Sequence, residues 1–426
     1  MAMKLIVPLL AAIVATAVSC SRGEPDAAQS TGAPATAPAS WTLNIQPVTT
    51  PAAADSSEPR LTASDRGVIL SWVERSGTKT QLKFAERTAS GWTTPLTASS
   101  GDNWFISYAD PPTVMRRPDG TLVASWLVAT DVRAEGSDLH VSYSKDEGKT
   151  WARSFLPHHD GTRQQHAFAS FVELPGNALG ILWLDARAWE LEKDSPDGGA
   201  VSLRYAAFDP SWKQIADAAI DLRVCECCST TTAVTSDGVI AAYRDRSDKD
   251  IRDISVSRLD NGTWTPGVTV HNDNWEVYAC PVNGPMLSAR GRQVAVAWFT
   301  AKNDQGQAWA AFSNDAGRTW GAPIRLDEGA SLGHVGVELL DDGSAVASWI
   351  ESANRRGQFT ARRIDASGAR SPAFAVPVVS GRLATSYPRI ARHGDELVFA
   401  WTESPEAEGG TDSGPKVQTA VAQLPH

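Results

Sequence analysis

The chain has 426 residues, with 49 acidic against 39 basic side chains and a formal charge of −10. An acidic balance with no basic run argues against nucleic acid as a partner. Five cysteines are present, and sixteen tryptophans are many for this length.

In chain order, Met1 to Ser19 reads as a short secretory signal. Lys4 is followed by the apolar stretch Leu5 to Val18 and then by small residues. That stretch is too short and too early for an ordinary membrane span. The tail Ala17-Val18-Ser19-Cys20 resembles a bacterial lipobox, so residues 1–20 are expected to be a lipoprotein signal with Cys20 as the lipidated N-terminus. An ordinary cleaved signal peptide is the alternative. Residues 21–40 are Ala, Pro, Ser, Thr and Gly with almost no large apolar side chain, which predicts a flexible tether. Ser21 rather than Asp after Cys20 points to the outer membrane of a two-membrane envelope, reached through the lipid anchor alone.

From residue 41 to 426 one pattern recurs: a small apolar strand ending in an aromatic residue. The copies are Val68 to Trp72, Leu122 to Trp126, Leu179 to Trp183, Val239 to Tyr243, Val294 to Trp298, Ala345 to Trp349 and Leu397 to Trp401. The aromatic recurs every 51 to 60 residues, the mark of a radial repeat. Strand-length runs between turn residues, with no helical periodicity, make each unit all-β. Four strands per unit, A to D, predict a β-propeller of seven four-stranded blades, with six as the alternative. The last unit runs out after strand C, at Val417 to Leu424, and Trp41 to Val48 resembles its missing strand D. Pairing the two would remove an exposed edge and lock the ring.

The C–D turns carry the clearest motif. Ser144-Lys-Asp146-Glu-Gly148-Lys-Thr150-Trp151 and Ser313-Asn-Asp315-Ala-Gly317-Arg-Thr319-Trp320 both read S-x-D-x-G-x-T-W. In such a turn the Asp caps nearby amides, Gly supplies a positive φ and Trp packs between blades. The motif resembles the Asp-box, or BNR repeat, of the sialidase superfamily, and weaker copies extend the resemblance over the globular body. It implies a folding role for Ser144, Asp146, Gly148, Trp151, Ser313, Asp315, Gly317 and Trp320.

Strand direction places the C–D turns on one face and the longer D–A and B–C loops at the opposite mouth, where sites usually lie. The strand A starts bring Arg60, Tyr108, Asp110, Gln165, His166, Cys225, Cys227, Cys228, Cys280, Asn283, His334, Tyr387 and Arg389 to that mouth. The strand B ends add Glu74, Asp185, Asp245, Glu351 and Glu403. A solvated channel lining competes with a site. The run Tyr243 to Asp253 alternates in sign, which fits a self-paired loop, yet Arg244 and Arg246 are also placed to hold an anion.

Four cysteines gather in neighbouring units, and three readings stay open. Exported proteins use disulfides, and Cys280 is within range of Cys225 or Cys227. A soft metal site of Cys225, Cys227, Cys228 and Cys280 with His166 or His334 would take copper or zinc. A redox or nucleophilic thiol is the third.

The sialidase resemblance implies an exo-sialidase as the enzyme reading. It nominates Arg60, Arg244 (or Arg246) and Arg389 for the substrate carboxylate, Tyr387 as nucleophile, Asp110 as acid/base and Glu351 (or Glu403) as activator. The chain departs from the family's enzymes in its seven units, its cysteines and the lack of an Arg-Ile-Pro run. The leading expectation is therefore a monomeric, envelope-anchored propeller that takes a small molecule, glycan, soft metal or protein partner at its mouth. A disulfide-stapled scaffold is the remaining alternative.

Overall fold

The computed structural model describes residues 41–130, 134–194, 198–353, 356–377, 382–383, 387–404 and 414–425. Cys20, the 21–40 segment and most of the loop from Ser404 to Lys416 lie outside the described residues. Seven antiparallel sheets form a seven-bladed propeller. No described helix is long and apolar enough to cross a membrane.

The B strands are Val68–Ser76, Leu122–Ala129, Ala178–Asp185, Gly238–Arg244, Gln293–Thr300, Ala345–Ala353 and Glu396–Ser404. Each is sandwiched by neighbouring blades, so its apolar run is buried on both faces rather than alternating. Trp72, Trp183, Trp298, Trp349 and Trp401 are among the largest fully buried side chains. Burying one tryptophan removes about 200 Å² from water, worth roughly 5 kcal/mol. The core therefore sits between blades as a ring of clusters. One joins blade 1 (Leu70, Trp72) to blade 7 (Val398, Ala400) and so closes the circle.

The closing strand is the expected one. Gln46–Val48 pairs antiparallel with Lys416–Gln423, register Gln46 to Val421, and completes blade 7. Its paired part is shorter than the predicted Trp41 to Val48. Blade 2 departs from four strands. Thr113–Arg116, Leu122–Ala129 and Ser137–Ser144 form its sheet, and only an isolated bridge from Val141 to Phe155 stands where strand D would run.

The two S-x-D-x-G-x-T-W turns share one hydrogen-bond scheme. Ser144 Oγ accepts from Gly148 N (2.9 Å), and Asp146 Oδ1 accepts from Ser144 Oγ and Thr150 N. Ser313, Asp315, Gly317 and Thr319 repeat it. Gly148 has φ +80°, and a Cβ there would lie 2.5 Å from Phe84 Cζ. Only glycine fits both demands.

Three strand A starts are bulged. The register with strand B slips between Ser57 and Arg60, between Ala167 and Ser170, and between Gly333 and Gly336. Within each bulge one non-glycine residue takes positive φ: Glu58 (55°), Phe168 (59°) and His334 (55°). Bulges re-aim side chains, and such backbone persists only where its surroundings enforce it.

Candidate functional site

Strands A of the first four blades surround one cavity of about 210 Å³, lined by Arg60, Thr62, Thr113, Met115, Ser170 and Thr231 among others. Arg60, on its lining, interacts electrostatically with Asp110 and Arg389, and Arg389 stands against the Tyr387 ring. Arg60, Glu58 and Asp110 all act electrostatically on Arg389, so residues from blades 1, 2 and 7 share one place.

The two arginines there are unpaired. Arg389 is 5% exposed, and its Nε and Nη2 are buried with no hydrogen-bond partner. Among the described residues neither Arg60 nor Arg389 has a carboxylate within ion-pair distance. Burial lowers the Arg389 pKa to about 9, and the like charge of Arg60 adds to that. Burial also lowers Arg60. Asp110 is oriented by the Phe168 amide, 2.5 Å from its Oδ2. Burial pushes its carboxyl up to about 6, although that amide, Arg60 and Arg389 pull it down. Glu58 is pushed up to about 7 by burial, and its Oε2 lacks a partner.

Aromatic rings form the adjoining wall. The Tyr387 ring stacks on His334, centroids 4.0 Å apart, and on Tyr108 at 6.3 Å. The Arg389 guanidinium carbon stands 5.0 Å from the centre of the same ring. The Tyr387 hydroxyl donates to the Val282 carbonyl, and burial raises its pKa well above the usual phenol range. The phenol is thus neutral and its proton committed.

Arg60, Asp110, Tyr387 and Arg389, nominated from the sequence, are therefore brought together; Arg244 also acts on Tyr387, but its donors, like the Glu351 carboxylate, are taken up by other groups. Arg244 is 1% exposed and donates to the carbonyls of Asn283 (2.8 Å), Arg252 (2.6 Å) and Phe299 (2.6 Å). Its guanidinium is spent on the fold. Glu351 accepts from the Trp349 indole (2.5 Å) and from Ala330 N (3.1 Å). Three other strand B carboxylates act alike: Glu74 holds Trp72, Asp185 holds Trp183 and Glu403 holds Trp401. A buried indole N–H needs an acceptor, and an acid two residues on supplies it. The recurrence of acids at these positions thus has a structural cause. Arg246 (2.7 Å) and Arg252 (3.5 Å) both pair with Asp250, as a self-paired loop would, and Arg252 also reaches Glu226 (2.8 Å) outside it.

Of the three readings of the cysteines, the structure shows the disulfides. Cys225 is bonded to Cys228 and Cys227 to Cys280, with Cα separations of 5.7 and 6.1 Å. Thiolates are what a soft metal requires, and all four are consumed. His334 belongs to the tyrosine wall, and His166 Nε2 lies 2.9 Å from Asp160 Oδ2. The second disulfide fastens the segment before Val282 and Asn283, whose carbonyls receive Tyr387 and Arg244.

Glu58, Phe168 and Val282 were not nominated from the sequence. Their roles depend on positive φ (55°, 59° and 50°) in bulges and loops, which non-glycine residues do not announce.

No protein-family model matches the chain, and no curated protein matches it. Solved structures do. A polysaccharide lyase, Uly1, superposes with a TM-score of 0.52 at 10% identity, over 87% of this chain and 90% of that one. A protein of unknown function from Dyadobacter fermentans gives 0.49 at 13%, over 91% and 99%. The NanB sialidase of Streptococcus pneumoniae, as a K499G mutant, gives 0.47 at 9%, over 89% and 94%. At 10% identity the likeness to the lyase bears on the fold, and on nothing finer.

Proposed function

We propose that the mouth binds the carboxylate of an acidic saccharide, on a sialidase-like Asp-box propeller tethered to the cell envelope through lipidated Cys20. The carrying observation is Arg389, buried beside Arg60 with Nε and Nη2 bare. Those two nitrogens share one edge of the guanidinium, the edge that grips a carboxylate through two parallel bonds. Burying two like charges without a counter-ion is costly, and a ligand anion offsets that cost. Below about pH 6 Asp110 and Glu58 do not cancel it, because burial raises their carboxyls to about 6 and about 7 and so keeps them protonated there. The lyase fold match at 0.52 is compatible with a saccharide ligand but adds only the fold.

Hydrolysis of sialidase type is the second reading, favoured by Asp110 lying with Tyr387 and both arginines. An acid with pKa about 6 can exchange protons near neutral pH. Tyr387 counts against it, since its proton is held by Val282 and Glu351 is occupied.

Calorimetric titration with glucuronate- and sialate-terminated oligosaccharides, and with a neutral glucoside, tests the reading. Binding of an acidic ligand alone, lost in Arg389→Met, is expected. Equal binding of the neutral glucoside, or none at all, overturns it. Release of sialic acid that stops in Tyr387→Phe would move the protein to the second reading. Fatty-acid labelling in cells, lost in Cys20→Ser, tests the anchor.

A further inference from the structure

Away from the arginines, between blades 2 and 3, two histidines and three aspartates converge on the mouth side. Asp138 begins strand C of blade 2, Ser137–Ser144, and His158 and Asp160 lie on the loop to blade 3. His166 opens strand A of blade 3, His166–Leu174, and Asp185 ends its strand B. The His158 and His166 side chains are 4% and 0% exposed. Their rings stack in parallel, centroids 3.6 Å apart.

One histidine is oriented by carboxylates. His166 Nε2 lies 2.9 Å from Asp160 Oδ2, and Asp160 is held by the Thr162 amide (2.9 Å) and hydroxyl (2.5 Å). Arg187 ties Asp160 (3.4 Å) to Asp185 (2.7 Å). A hydrogen bond to a carboxylate assigns a proton to Nε2, so that in the neutral ring Nδ1 carries the lone pair. Nδ1 of His166 and Nε2 of His158 are buried and without hydrogen-bond partners. Both lie 3.9 Å from the same atom, Asp138 Oδ1.

We propose that His158 Nε2, His166 Nδ1 and Asp138 Oδ1 bind a divalent transition-metal ion, with zinc the best match, and that Asp160 orients His166 from behind. The donor atoms all lie within 4.8 Å of one another. Around a tetrahedral zinc, donors at about 2.0–2.1 Å stand roughly 3.3 Å apart. Each histidine nitrogen needs to close on Asp138 Oδ1 by about half an ångström, and the rings must tilt from parallel so that both lone pairs meet one centre. Asp138 is 29% exposed, which leaves an approach for the ion and a position for water. Three carboxylates against Arg187 within the cluster, with Arg163 farther out at the surface, suit an added dication. Two imidazoles and a carboxylate select zinc or its first-row neighbours over calcium or magnesium.

The test uses the whole mature chain, stripped with chelator and dialysed, then titrated with Zn²⁺ and separately with Co²⁺. About one equivalent of Zn²⁺ should bind, with affinity falling at least roughly 10-fold in Asp138→Asn, His158→Asn and the outer variant Asp160→Asn. The Cys225→Ser/Cys228→Ser variant should bind as the parent does. Cobalt bound to the unmutated chain should show visible d–d bands and no thiolate charge-transfer band, a readout that survives misfolding of any variant. No binding of either metal overturns the proposal and leaves the nitrogens to a bridging water. A thiolate band, or binding untouched in Asp138→Asn and His158→Asn, overturns it equally.

Discussion

Arg244 and Arg389 are both buried at the mouth, both act on the Tyr387 ring, and they are opposites. Arg244 places three bonds on backbone carbonyls and lies 5.0 Å from the Trp275 ring centre. Arg389 leaves two nitrogens bare. One arginine is a strut, the other a socket. Burial alone does not separate them; what each donor finds does. A guanidinium removed from water and given three acceptors has had its desolvation compensated, while one given none waits for a ligand.

The comparison breaks most directly at the strut and its brace. Replacing Arg244 by Met should strand three buried carbonyls and lower stability by about 4 kcal/mol, read by denaturant unfolding. Arg389→Met should leave stability unchanged or raised. If Arg389→Met proves the more destabilising, the assignment of roles is reversed. Removing the Cys227–Cys280 bridge, which spans 53 residues, should cost about 4 kcal/mol by loop-closure entropy, against roughly 2 for Cys225–Cys228, which spans 3. Loss of the longer bridge should also weaken acidic-ligand binding, because Val282 and Asn283 follow it directly.

At the socket, Arg389→Met should weaken acidic-ligand binding by about 100-fold, since a buried bidentate charge pair is lost. Glu351→Ala is the matched control at the indole positions. It should cost about 2 kcal/mol through the stranded Trp349 N–H, with ligand affinity unmoved. A large affinity loss there would restore Glu351 to the site.

The smallest effect is the pH dependence. Below pH 6 Asp110 is protonated and adds no negative charge beside the arginines. Above it the carboxylate competes with the ligand anion, and Glu58, at about 7, follows in the same direction. Affinity should therefore fall as pH rises through 6 to 7, by about 10-fold. In Asp110→Asn only the later step should remain. Affinity that rises with pH would place the acid elsewhere.

Much of the ring was legible because its determinants are local. The strand B aromatics recur at nearly constant spacing, the glycine turns require positive φ, and a missing last strand can be matched to an orphan first one. Arg60, Asp110, Tyr387 and Arg389 were also legible, since strand A starts in a propeller must face the axis. Partnership was not. Arg244 read as an anion ligand and Glu351 as a base because both are charged and stand at the mouth. Only the carbonyls of Asn283 and Phe299 and the indole of Trp349 reveal them as supports.

The sequence by itself determined blade number, the closing strand and the sharing of one face by the polar strand ends, since periodicity and turn chemistry act over a few residues. The tertiary structure decided which charges are satisfied and how the cysteines pair. It also brought His158 to His166 and Asp138, on three separate segments. Those outcomes depend on distances between segments remote in sequence, and on desolvation, which no residue carries alone.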